Sequence, residues 1–219
     1  MLEKLLQVQT LSLVLIGSFN PIIIQPFWLL SKGLIREDEA NTAKVPIIHD
    51  EISKIEIDWL SIEVTRNRFE LKSSKTPYFD PLKDIATGII RILKETPIYS
   101  IGINHVYDIS LASQEEYYKF GNKLTPLSFW ESEFNDPRLL QLEIYEKERK
   151  DKLKGSRRIK IVPSDQSISF GVAFNINDHF DFNSDNKVNI SDFLDIQWEN
   201  SLFQSKEIVN NLLEKIINL

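Results

Sequence analysis

IEIDWLSIEVTRNRFEL, residues Ile55 to Leu71, is the stretch on which the fold turns. Apolar side chains alternate at Ile55, Ile57 and Trp59, the period of a strand with one face buried. The phase slips at Leu60 and resumes at Ile62 and Val64, which reads as one strand carrying a β-bulge. TRNR (65–68) then turns the chain into a return strand bearing Phe69 and Leu71.

Elements on either side extend this pattern. Residues 6–16 read as a buried strand with Leu11, Leu13 and Leu15 on one face. Pro21 opens a helical stretch that Pro26 restricts to its second half. Residues 36–52 are polar and irregular. After the return strand, Asp80 reads as an N-cap with Pro81 at the first helical position, and Leu82, Ile85, Ile89 and Leu93 share one face. A buried strand, PIYSIGINHVYDI (97–109), follows. The order β-α-β-β-α-β over residues 6–109 is that of a split β-α-β, ferredoxin-like unit.

The second half begins with a helix capped by Ser113 and Glu116 and closed at Gly121. An irregular aromatic stretch, KLTPLSFWESEFNDP (123–137), leads to strands expected at about 139–148, 157–163 and 167–181. A final helix over about 191–217 carries Trp198, Leu202, Val209, Leu212, Leu213 and Ile216 along one stripe. The expected fold is α+β. A ferredoxin-like lobe (1–110) is followed by a second lobe (111–219) of antiparallel strands and a long C-terminal helix, packed against it.

Composition narrows the chemistry. The chain has 219 residues, 42% hydrophobic and 26% charged, ordinary for a globular protein. It has no cysteine, which excludes disulfides, thiolate metal sites and a cysteine nucleophile. Seven glycines and no glycine-rich loop argue against a nucleotide cradle. The first apolar run, Leu13 to Ile16, is too short for a signal peptide, and no run reaches the roughly 20 residues of a membrane span. We expect a cytoplasmic protein without membrane contact.

Three fragments, QPFWLLSKGLI (25–35), TPIYSIGIN (96–104) and NDHF (177–180), resemble an uncharacterised family of bacterial α+β proteins. These are distributed sporadically and sometimes sit beside defence genes. The resemblance implies a bacterial origin and a role inside a larger system such as antiviral defence. It brings no catalytic residues with it.

Four places deserve weighing as sites. DFNSDNKVNISDF (181–193) sets Asp181, Asn183, Asp185, Lys187, Asn189 and Asp192 at the ligand positions of a calcium loop. The residues before it read as a strand rather than a helix and no second copy exists, so we read a turn, with Asn189 or Ser191 capping the last helix. His49, His105 and His179 are scattered without metal-ligand spacing, and no nucleophile elbow or phosphate loop appears. No catalytic, cofactor or metal residues are therefore assigned.

The other two places are surfaces. Between Lys147 and Lys160 eight cations stand against two acids, so this segment carries +6 and the rest of the chain −12. Read as a solvated hairpin tip, it offers Lys150, Lys152, Lys154, Arg157 and Arg158 to a nucleic acid or an acidic partner. The irregular stretch offers Leu127, Phe129, Trp130 and Phe134, a composition enriched in interface cores. We expect a binding or assembly subunit rather than an enzyme, contacting a protein partner or a second copy. A nucleic-acid-binding component working through 147–160 is the alternative.

Overall fold

The phase slip at Leu60 marks a hairpin, not a bulge. In the computed structural model, which describes residues 1–182 and 188–217, the chain enters through α1 (Leu2–Leu5), β1 (Leu6–Gly17), α2 (Pro26–Ser31), α3 (Glu37–Thr42) and β2 (Lys44–Ile48). The decisive stretch then forms three strands, β3 (Ile52–Ile57), β4 (Leu60–Thr65) and β5 (Arg68–Ser73). Ile57 pairs with Leu60, so Asp58 and Trp59 form a two-residue turn. Trp59 stays buried there: its indole N–H donates to Glu39 Oε1 at 2.7 Å and its ring stacks on Tyr78 at 4.8 Å. It therefore keeps the apolar alternation running through a turn. Residues 36–52, expected to be irregular, carry α3 and the exposed strand β2.

The remaining elements are α4 (Phe79–Ile92), β6 (Ile98–Ser110), α5 (Gln114–Leu124), β7 (Leu142–Glu146), β8 (Gly155–Pro163), β9 (Gly171–Asp181) and α6 (Ile190–Ile217). α4 starts earlier than expected, running out of a 3-10 turn at Thr76–Tyr78, which leaves Asp80 in the first turn rather than at the cap. Ser113 caps α5 by accepting from the Glu116 N–H at 3.2 Å, but the helix continues past Gly121 to Leu124. Asn189 caps α6, its side chain accepting from the Ser191 N–H at 3.2 Å.

The fold is α+β. Nine strands form one antiparallel sheet in the order β2-β3-β4-β5-β1-β6-β9-β8-β7 among the described residues. β1, β6 and β9 are the long central strands; β6 and β9 stay in register over eleven residues, from Ser100–Asp181 to Ser110–Gly171. Every helix contributes buried side chains to one face of this sheet. One apolar cluster joins Leu13, Leu71, Ile62, Ile55 and Ile103 to α4 and to Trp198 of α6. A second joins Tyr107, Phe174, Ile176 and Ile161 to Phe120 of α5 and to Val209 and Leu213 of α6.

Polar groups lie between the two clusters beneath α6. His105, fully buried, bonds through Nε2 to Ser201 Oγ at 2.9 Å, and Tyr107 bonds to Ser205 at 2.7 Å. On the opposite face Asn177 donates to Asn104, whose own amide donates to Ser12 at 3.2 Å, tying β9, β6 and β1 together through short polar side chains.

Burial drives the His105 pKa down to about 4, with Arg157 adding to that effect and Asp178 opposing it. An unfolded histidine binds its proton near pH 6.5, so the unfolded chain takes up a proton between pH 6.5 and about 4 that the folded chain refuses. Stability present above pH 6.5 is lost as pH falls through this window, by about 3 kcal/mol for the full shift. Urea unfolding of wild type and His105→Gln across pH 7 to 4.5 checks this: the wild type is expected to lose more stability on acidification. Parallel pH dependence in the two proteins would contradict it.

Candidate functional site

The strand row that runs Ile55, Ile62, Leu71, Leu13, Ile103 across the covered face changes character at β9, where it continues as Asp178, Arg157 and Glu146. Asp178 occupies an apolar phase of β9, between Ile176 and Phe180, and is almost fully buried. A carboxylate there must be paired, because an uncompensated buried charge costs several kcal/mol. Two arginines meet it. Arg149, from the β7–β8 connection, donates from Nη1 to Asp178 Oδ1 at 2.5 Å, and Arg157 donates to the same oxygen at 3.2 Å.

Arg149 is satisfied on every side. It forms a bidentate pair with Asp151 at 2.9 and 2.5 Å, and its guanidinium lies 4.3 Å from the centre of the Phe180 ring. Asp151 also accepts from the Leu153 N–H at 3.0 Å, and Arg149 holds its carboxyl below the usual range. Leu153 packs against the first apolar cluster. Gly155 closes the connection at φ 129°, where an added Cβ would fall 2.0 Å from the His179 carbonyl oxygen, so only glycine fits. The 147–154 segment is thus clamped to the sheet from beneath.

This corrects the picture of a solvated tip. Arg157 keeps only 11% of its side chain exposed and spends its donors on Asp178 and on Gln204 of α6, the latter at 2.6 Å. It is a structural cation and is not free to meet a partner. Lys150, Lys152, Lys154 and Arg158 are exposed, as is Lys147. Lys147, Lys152 and Lys154 rim one surface concavity together with Glu148 and Asp181. Arg158 stands across from Tyr145 and pairs with Glu143 at 3.2 Å.

The aromatic stretch sits at the other end of β7. After α5 ends, Leu127–Trp130 form a 3-10 turn, continued by Glu133 and Phe134 N–H groups donating to the Trp130 carbonyl at 3.0 and 2.8 Å. Leu127 is half-buried, but Phe129, Trp130 and Phe134 are 78%, 51% and 58% exposed. The Trp130 and Phe134 rings lie 6.1 Å apart, and both face water rather than the core. Glu131, Glu133 and Asp136 are interspersed among them. The chain returns to the body at Arg138, whose guanidinium lies 4.0 Å from the centre of the Tyr118 ring. Leu139, half-buried, and Leu140, largely exposed, line an apolar cavity of about 40 Å³ against Phe120 and Ile161.

The histidines do not converge. His105 is buried in the core, His49 pairs with Asp50 on the surface, and His179 bonds to Asp181 at 3.0 Å on the uncovered sheet face. Among the described residues no three acidic or histidine side chains gather as a metal site would require. Residues 183–187, on which the calcium question depends, lie outside the described residues. No protein-family model and no curated protein matches the chain.

Arg149 is the residue that the sequence reading passed over, counted there as one cation in a run. The available signal was Asp178, a carboxylate in the buried phase of a strand, which demands a buried cation. Replacing Arg149 with Met is expected to lower unfolding stability by about 3 kcal/mol, at the lower end for a broken buried pair because Arg157 still contacts Asp178. Tryptic cleavage under native conditions at Lys150, Lys152 and Lys154 should accelerate in parallel. An unchanged urea midpoint would show that the clamp carries no weight.

Proposed function

We propose that this protein is a non-enzymatic binding or assembly subunit that works through the surface around Phe129, Trp130 and Phe134. The observation carrying this reading is the exposure of three large aromatic side chains in one short turn. Solvent-facing aromatics gathered like this are a hallmark of contact sites. A bacterial multi-protein system, antiviral defence among them, is the setting that the family resemblance suggests, and the cytoplasm is the compartment we infer. No helix among the described residues is long and apolar enough to cross a membrane.

β5 and β6 flank β1 and are linked by α4, and the strand order β4-β5-β1-β6 supports a ferredoxin-like unit extended at its edge by β2 and β3. We take residues 1–110 as that lobe and 111–219 as the lobe that carries the contact surface.

The test is Trp130→Ala, followed by light scattering, by capture of bound protein from a bacterial lysate and by thermal melting. Truncating an aromatic anchor commonly costs about 2 kcal/mol or more of binding, roughly thirtyfold. Assembly should weaken by that order while the melt of the isolated chain stays put. A melt that collapses with assembly unaltered would make Trp130 ordinary core and end this reading.

A second reading rests on the clamped lysines. Lys147, Lys152 and Lys154 around one concavity suit a phosphate backbone, and Lys150 and Arg158 extend the same charge. Changing Lys150, Lys152 and Lys154 to Ser should spare the fold, since all three are exposed. Binding of single-stranded DNA or RNA should then weaken on every sequence, with the salt slope shallower by roughly 2–3. Absence of wild-type binding at low salt, measured by fluorescence anisotropy, removes this alternative.

A further inference from the structure

The two edges of the sheet are built differently. β2 carries Lys44 and Pro46 and slips in register against β3 between Lys44 and Ile47, all devices that discourage a further strand from pairing. β7 has none of them. It pairs with β8 without a break from Leu142–Ile161 to Glu146–Arg157, and LEIYE contains no proline, glycine or lysine. Its central residue, Ile144, lies in the phase of the covered face yet is 57% exposed. Among the described residues nothing pairs with its outer side.

We propose that β7 pairs antiparallel with β7 of a second copy of this chain, about a two-fold axis at Ile144, joining two nine-stranded sheets into one. This rests on the assembly role and names the partner.

The sequence of the strand is complementary to itself in this register. Ile144 meets Ile144, Glu143 meets Tyr145, Leu142 meets Glu146, and Gln141 meets Lys147 just beyond. No like charges oppose each other, and the helix-covered faces of the two copies fall on the same side. A slip of one residue in either direction would turn one sheet over, and in one of the two directions it also sets Glu143 against Glu146.

Charge on the flanks favours the same pairing. Upstream of β7 the chain carries Glu131, Glu133 and Asp136, the last paired with Arg138; downstream it carries the exposed Lys147, Lys150, Lys152 and Lys154 against the exposed Glu148. A two-fold axis through an antiparallel pair brings the upstream end of one copy beside the downstream end of the other. Acidic flank therefore meets basic flank twice, and the exposed Phe129, Trp130 and Phe134 turn towards the partner's clamped hairpin.

Sedimentation velocity of the full chain, from low to high micromolar concentration, tests this with three variants. Ile144→Lys places like charges on the axis and is expected to be monomeric with an unchanged melt. Lys150→Glu/Lys152→Glu/Lys154→Glu makes both flanks acidic, and Glu131→Lys/Glu133→Lys/Asp136→Lys makes both basic. Each charge variant alone is expected to self-associate at least about tenfold more weakly, and a mixture of the two to recover wild-type association. A wild type that stays monomeric, including one that forms a complex only with an extended segment of a different protein, overturns the proposal. So does an Ile144→Lys variant that associates normally, or a mixture that fails to recover. If Trp130→Ala abolishes association while Ile144→Lys leaves it intact, strand pairing falls and the assembly role stands.

Discussion

One buried carboxylate organises the second half of the molecule. Asp178 sits in the apolar phase of a central strand, under α6, where an unpaired charge would cost several kcal/mol. Its neutralisation requires a cation from the neighbouring strand and another from the connection that follows β7. Arg157 is thereby withdrawn from the surface, and Arg149 draws the 147–154 segment down onto Phe180. Position rather than sequence separates the two roles of the basic run. Two arginines hold the fold while the lysines between and around them remain in water.

That division determines what the surface displays. The lysines are carried on a segment fixed at its middle, so their charge has a defined place beside the β7 edge. At the other end of β7 the chain leaves three aromatic side chains in solvent, although burying each would recover about 1.5–3 kcal/mol. The second cluster is covered instead by Phe120, Tyr117 and Leu124 of α5 and by α6. A basic flank, the short strand β7 and an aromatic flank with interspersed acids follow one another along a single edge.

Much of the scaffold was legible because period and burial agree in it. β1, β6 and α6 were found close to their observed limits, since each is long and buries a regular stripe. The hairpin at Asp58–Trp59 was hidden for a physical reason. Neither residue adopts positive φ, so the turn lacks the glycine or asparagine that usually announces a two-residue loop. Trp59 is itself buried and mimics one more strand position. β2 was missed because all five of its residues are exposed, leaving no alternation to read. The irregular backbone of the aromatic stretch is legible from its prolines and lack of period, whereas the inward turn of Arg149 and Arg157 depends on pairing across strands that spacing along the chain does not reveal.

Pairing of β7 with a second copy would bury amides that this edge otherwise leaves to water. Hydrogen–deuterium exchange of the amides of residues 142–146, followed at low and high protein concentration, examines that edge directly. Outward-facing amides of β7 should exchange freely when dilute and become protected as concentration rises, while those of the β2 edge stay unchanged. Exchange at β7 that is indifferent to concentration would contradict the account.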